Sequence, residues 1–162
     1  MSIADIGTYM SDHLAGSTAA IELLQHLKSV NKDPDRGKFL IRLCLDIETN
    51  QKSLEEIMSQ LHVSGSTSKR VVSWFCEKTA RLKFWLDQSP ESNLFWLETF
   101  EAISIGIEGQ LALWNALIVS PIGSEIGPSK IEELKRRAVS QHASIEKFRL
   151  SEAKVALKRS GE

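Results

Sequence analysis

Glu101 and Glu108 stand seven residues apart in LETFEAISIGIEGQLALWNAL, residues 97 to 117, a stretch that is otherwise almost wholly apolar. On a helix, two turns put both carboxylates on one stripe, with their Cα atoms about 10 Å apart along the axis. Carboxylates inside a helical protein do one of two things. They ligate a metal together with histidine, or they pair with a base and fix the register of the helices. Metal–oxygen bonds near 2 Å are far shorter than this separation, so one ion could not take both glutamates. Each would need help from another helix.

For a metal, the candidate helpers are His13, in the middle of an apolar seam, and Asp46, with Glu98 one turn before Glu101. A mixed site of His13, Asp46 and Glu101, with Glu98 beside it, suits iron, manganese or zinc by ligand type. The other reading demands less. EKTARLK supplies Glu77 and Arg81, and a guanidinium meets a carboxylate through two parallel hydrogen bonds. A polar core network of His13, Glu77, Arg81, Glu101 and Glu108 would neutralise the buried charge with no cofactor at all. Gly106 and Gly109 flank Glu108 and Gly16 lies close to His13. A mid-helix glycine is unfavourable by about 1 kcal/mol against alanine, so a close neighbour is expected at each.

Seven of the eleven aromatic residues fall between Trp74 and Phe100. Adjacent residues on a helix differ by about 100°, so Phe84–Trp85 and Phe95–Trp96 cannot all face one core. Phe84, Trp85, Phe95 and Trp96 are therefore interface candidates, and a homodimer is expected.

The remaining composition excludes more than it assigns. Twenty Lys and Arg against 21 Asp and Glu leave a net charge of −1, with no basic field for nucleic acid. MSIADIGTYM has no basic residue and does not read as a targeting signal. Glu108, Gln110 and Asn115 in the most apolar stretch argue against a membrane span. Cys44 and Cys76 are unpaired by any CxxC spacing and read as buried thiols in the cytoplasm.

The elements that must position these residues are helices. Breaker clusters at NKDPDRG (31–37), SGSTS (64–68), DQSPES (87–92) and SPIGSEIGPS (120–129) cut the chain, and nothing between them alternates with period two. Five helices are expected, at about 3–29, 35–62, 67–86, 91–119 and 130–157. The first two carry apolar seams at 3,4 spacing, Ile3 to Leu27 and Leu40 to Leu61. Asp33–Pro34 suits an N-cap and first turn, and Ser129 with Glu132 a capping box. The 91–119 helix is apolar nearly all round, as an enclosed helix is. Residues 1–162 are expected to form one all-α domain, an up-and-down antiparallel bundle.

DHLAGSTAAIELL (12–24), DIETNQKSL (46–54), WFCEKTARLK (74–83) and LETFEAISIGIEGQLALWNAL together resemble an uncharacterised bacterial family with a ferritin-like helical bundle. The resemblance touches four of the five expected helices and implies a fold, with no established activity. Ferritin-like di-iron proteins use Glu-x-x-His pairs. None of His13, His26, His62 and His142 lies three residues after a glutamate, and the nearest substitute is Glu98-Thr-Phe-Glu101. The expected function is a non-catalytic, self-associating bundle. A metal-binding protein or oxidoreductase with a non-standard carboxylate–histidine site is the alternative, and a small-molecule binder beside Gly106 and Gly109 a third.

Overall fold

The computed structural model describes residues 3–63 and 90–158. Among them are five helices and no strand: α1 (Ile3–Val30), α2 (Pro34–Gln60), α3 (Asn93–Val119), α4 (Ile122–Ile126) and α5 (Pro128–Ala156). The four long helices fall within two residues of the spans read from the sequence. The expected helix at 67–86, with Glu77, Arg81, Phe84 and Trp85, lies outside the described residues.

The starts and stops have local causes. Asp33 caps α2: its Oδ1 accepts the Arg36 N–H at 2.6 Å, and Pro34 follows where a missing N–H costs nothing. α5 begins differently from expectation. Pro128 occupies its first turn after Gly127 at φ 100°, so Ser129 is already inside the helix and caps nothing. Only glycine enters that left-handed region cheaply, which is why the chain turns there. Instead of an uninterrupted break, residues 120–129 include the one-turn helix α4. It sits so close to the end of α3 that a Cβ on Gly123 would lie 2.4 Å from the Leu117 carbonyl oxygen.

Among the described helices, α3 and α5 share the most extensive interface, and α1 packs chiefly on α2. Cross-helix contacts give the register. Glu101 meets Arg149, Ser104 meets Glu146 and Glu108 meets His142, so α3 and α5 run in opposite directions. Arg36 with Glu152, Asn50 with Gln141 and Glu56 with Lys130 give the same relation for α2 and α5. Gln51 donates to Thr18 across α1 and α2, which a three-residue connection joins.

The core is one cluster built on Met10, Leu24, Leu40, Ile57, Phe100, Leu113, Trp114 and Ile131. Burying each such side chain contributes about 1.5–3 kcal/mol. Phe39 stacks on Phe148 at 4.0 Å and meets Phe100 edge-on at 5.9 Å, tying α2, α5 and α3 together at one end. Phe95 and Trp96, expected at an interface, are both 2% exposed. A ring pair can share the core after all, because the two rings pack edge to face at 5.2 Å and point into it from either side of the seam. The inward positions of the α1 and α2 seams are met at Met10, Leu24, Leu27, Leu40, Cys44, Ile47, Leu54 and Met58, whereas Val155 at the end of α5 is exposed.

α3 is not enclosed by the described residues. By length and composition it is the one described helix apolar enough to cross a membrane, yet Leu94, Ile105 and Val119 are exposed. Its apolar character therefore reaches beyond the face that packs on α5 and the core.

Candidate functional site

Glu101 and Glu108 lie on the rim of α3 beside α5, with side chains 58% and 63% exposed. This overturns their expected place in a buried network. Rotating a carboxylate to the rim avoids the desolvation that burial would impose. Bases from a neighbouring helix still meet them, but that helix is α5. Arg149 Nη1 lies 3.6 Å from Glu101 Oε2, and His142 Nε2 lies 3.2 Å from Glu108 Oε1. The partners are themselves seven residues apart, so two-turn spacing on each of two opposed helices matches rung for rung.

Glu146 is the centre of this ladder. Arg149 grips it through Nε at 2.8 Å and Nη2 at 2.7 Å, and Ser104 Oγ donates to it from α3 at 2.8 Å. The Arg149 hydrogen bonds, followed by that of Ser104, hold the Glu146 carboxyl down at about 2 against an ordinary 4.5, and the same contacts push Arg149 up. Both members stay ionised across the physiological range. A carboxylate this firmly ionised and this fully hydrogen-bonded is a poor proton carrier at neutral pH.

A second polar group lies in the interior. Asn50 of α2 is 0% exposed. Its Nδ2 donates to Gln110 Oε1 of α3 at 3.2 Å and to Gln141 Oε1 of α5 at 3.0 Å. Three helices are thus joined by neutral amides. Asn50 Oδ1 and the Trp114 indole nitrogen, one acceptor and one donor, are buried without a partner among the described residues.

The third group closes one end of the molecule. Arg36 of α2 lays its guanidinium 4.2 Å over the Trp96 ring and reaches Glu152 of α5 at 2.5 Å. Trp96 in turn donates its indole N–H to Pro90 O at 2.9 Å. Lys32 and Glu91 pair at 2.9 Å beside the shallow cleft that these residues border, and each stabilises the other's charge.

The other expected ligands are dispersed. His13, on α1, meets the edge of Tyr9 at 4.8 Å, and burial pushes its imidazole down against the opposing pull of Asp12. Asp46 lines a hollow of about 200 Å³ between α2 and α5, with Arg42, Ser144 and Lys147. Glu98 is half-buried on α3. Among the described residues no three His, Cys, Asp or Glu side chains come together as a metal site. Cys44 is a buried free thiol 3.6 Å from Glu48, and burial raises its pKa, the opposite of what a nucleophile needs.

Sequence reasoning passed over Arg149, Glu146 and Ser104, and over Asn50, Gln110 and Gln141. The signals were present. His142 and Arg149 repeat the seven-residue spacing of the two glutamates. Asn50 interrupts the apolar row Ile47, Leu54, Ile57 at a position that must face inward. No protein-family model, curated protein or solved structure matches the chain.

Proposed function

We propose that the chain is a non-catalytic helical bundle of the ferritin-like, up-and-down antiparallel kind, acting through its surfaces in the cytoplasm and self-associating, most simply as a dimer. The observation that carries this reading is the chemistry of the interior polar group. Gln110 and Gln141 are amides joined through the Asn50 amide, which donates to both. Di-iron members of ferritin-like folds bring carboxylates and histidines inward instead. Amides neither exchange protons near neutral pH nor offer the charged oxygens that hard cations take.

The surface polar groups support the same view, since Glu101, Glu108, Glu146, His142 and Arg149 meet one another along the α3–α5 seam. The opposed registers of α2 with α5 and of α3 with α5 fit the antiparallel arrangement. Self-association draws support from Ile105, Val139 and Leu150, which are at least half exposed on helices α3 and α5.

Metal analysis of protein purified without a tag tests the non-catalytic reading. Far less than one equivalent of any transition metal is expected. Stoichiometric iron, manganese or zinc, lost on His13→Ala or Glu101→Ala, would overturn it. Sedimentation analysis tests the dimer, and a strict monomer at high concentration would remove it.

A further inference from the structure

The described residues form no pocket wall beside Gly106 and Gly109, since a Cβ built on either meets nothing within 4 Å. They do enclose the hollow of about 200 Å³ between α2 and α5. Phe39, Arg42 and Asp46 line it from neighbouring turns of α2, and Gln141, Lys147 and Phe148 from the facing turns of α5. The antiparallel register gives it two unlike ends. At one, Phe39 stacks on Phe148 at 4.0 Å; near the other, Asn50 of α2 meets Gln141. Seven residues of helix, about 10 Å, separate Phe39 from Asp46.

The charges around this space are uncommitted. The side chains of Arg42, Asp46 and Lys147 form no ion pair or hydrogen bond with a described residue. The cleft beside Trp96 differs, because there Lys32 is taken by Glu91 and Arg36 by Glu152. Two cations and one anion at the rim of a single hollow suit a guest that carries both signs.

Gln141 adds an independent observation from the floor. The residue is 6% exposed, and its Oε1 accepts from Asn50 Nδ2 at 3.0 Å. Its Nε2 has no acceptor among the described residues. That nitrogen is not sealed in, since the buried polar atoms without a partner there are Arg36 Nε, Asn50 Oδ1 and Trp114 Nε1. An unpaired donor on so buried a side chain opens into the hollow that Gln141 lines. Buried donors are ordinarily satisfied, so this one points to an acceptor.

We infer that the hollow between α2 and α5 binds a free α-amino acid with an apolar side chain. Its carboxylate accepts from Arg42, Lys147 and Gln141 Nε2, its ammonium meets Asp46, and its side chain lies along the Phe39–Phe148 pair. A guanidinium forks onto a carboxylate, and the aromatic end removes apolar surface from water. A plain anion would leave Asp46 facing like charge, and a plain amine would meet two cations. The space is below the roughly 300–1,000 Å³ of clefts that hold drug-sized ligands, so the guest is small. Binding here needs neither metal nor self-association, and it goes beyond the proposed function without resting on it.

Titration calorimetry of the full-length chain with L-leucine tests this, beside 4-methylpentanoate, which lacks the ammonium, and 3-methylbutylamine, which lacks the carboxylate. Saturable binding of one leucine per chain is expected, with each analogue at least roughly tenfold weaker. Arg42→Ala should weaken leucine and 4-methylpentanoate alike. Asp46→Asn should weaken leucine and leave 4-methylpentanoate no weaker, and Lys154→Ala, exposed elsewhere on α5, should change neither. Circular dichroism selects the folded variants, and the analogue series on the unaltered chain stands without any of them. No saturation by leucine up to about 10 mM would overturn the inference. So would 4-methylpentanoate binding as tightly as leucine, which would mean a site for anions alone. Leucine affinity unchanged in both Arg42→Ala and Asp46→Asn would place the binding elsewhere and overturn it too.

Discussion

Replacing Asn50 with alanine is expected to destabilise the protein by about 2–4 kcal/mol. The side chain is fully buried and donates to Gln110 at 3.2 Å and Gln141 at 3.0 Å. Each of two hydrogen bonds contributes about 0.5–1.5 kcal/mol net. The side-chain carbonyl of Gln141, a residue 6% exposed, is then left without its donor, at about 1–3 kcal/mol. Against this, the substitution deletes Asn50 Oδ1, a buried acceptor that has no partner, and recovers part of its desolvation. For a chain of this size the loss corresponds to a melting temperature lower by roughly 10 °C. Guanidinium unfolding followed by circular dichroism measures it from the midpoint at constant slope. Converting the whole group, Asn50→Leu with Gln110→Leu and Gln141→Leu, is expected to be neutral or stabilising, because no amide is then stranded. An Asn50→Ala variant within about 0.5 kcal/mol of the parent, or a triple variant less stable than the single one, would refute the claim that Asn50 satisfies the two glutamine carbonyls.

Arg36→Ala is expected to destabilise by about 3 kcal/mol, since it strands the largely buried Glu152 and uncovers Trp96. Arg36→Lys should recover less than half of that in thermal melts, because an ammonium has no flat face to lay on the indole and cannot reach Asn31 and Glu152 together as the guanidinium does. The depressed pKa of Glu146 gives stability that is complete above about 4.5 and is lost as pH falls toward about 2. The side chain is a quarter exposed, so screening leaves roughly 1–2 kcal/mol. Glu146→Gln should flatten the stability profile between those pH values and meet the parent curve at its acid end, whereas parallel profiles would contradict the assigned ion pair. Gly123→Ala should destabilise by about 1–3 kcal/mol in the same melts, since its Cβ would press on the backbone oxygens of Leu117 and Ile118. A neutral result would mean that α4 does not close against α3 as placed.

How far the sequence reached is plainest at α2 and α3. The Asp33–Pro34 start and the 3,4 seam of α2 are local signals, carried by residues within a turn or two of one another, and the structure keeps both. α3 was legible as a helix, but not as to which way it faces. A helix apolar nearly all round has no strong preferred direction, so its sequence leaves the rotation undetermined. The structure turns Phe95, Trp96 and Phe100 inward and puts Glu101 and Glu108 at the rim.

Periodicity and breakers alone determined that this chain is helical and where its long helices begin and end. They rest on backbone geometry that repeats every few residues. Only the tertiary structure decided that Glu101 and Glu108 meet Arg149 and His142 at the rim, and that the amide of Asn50 takes the interior place expected for those two carboxylates. Those choices compare the desolvation of charges with that of amides across helices distant in sequence, a balance no single segment contains.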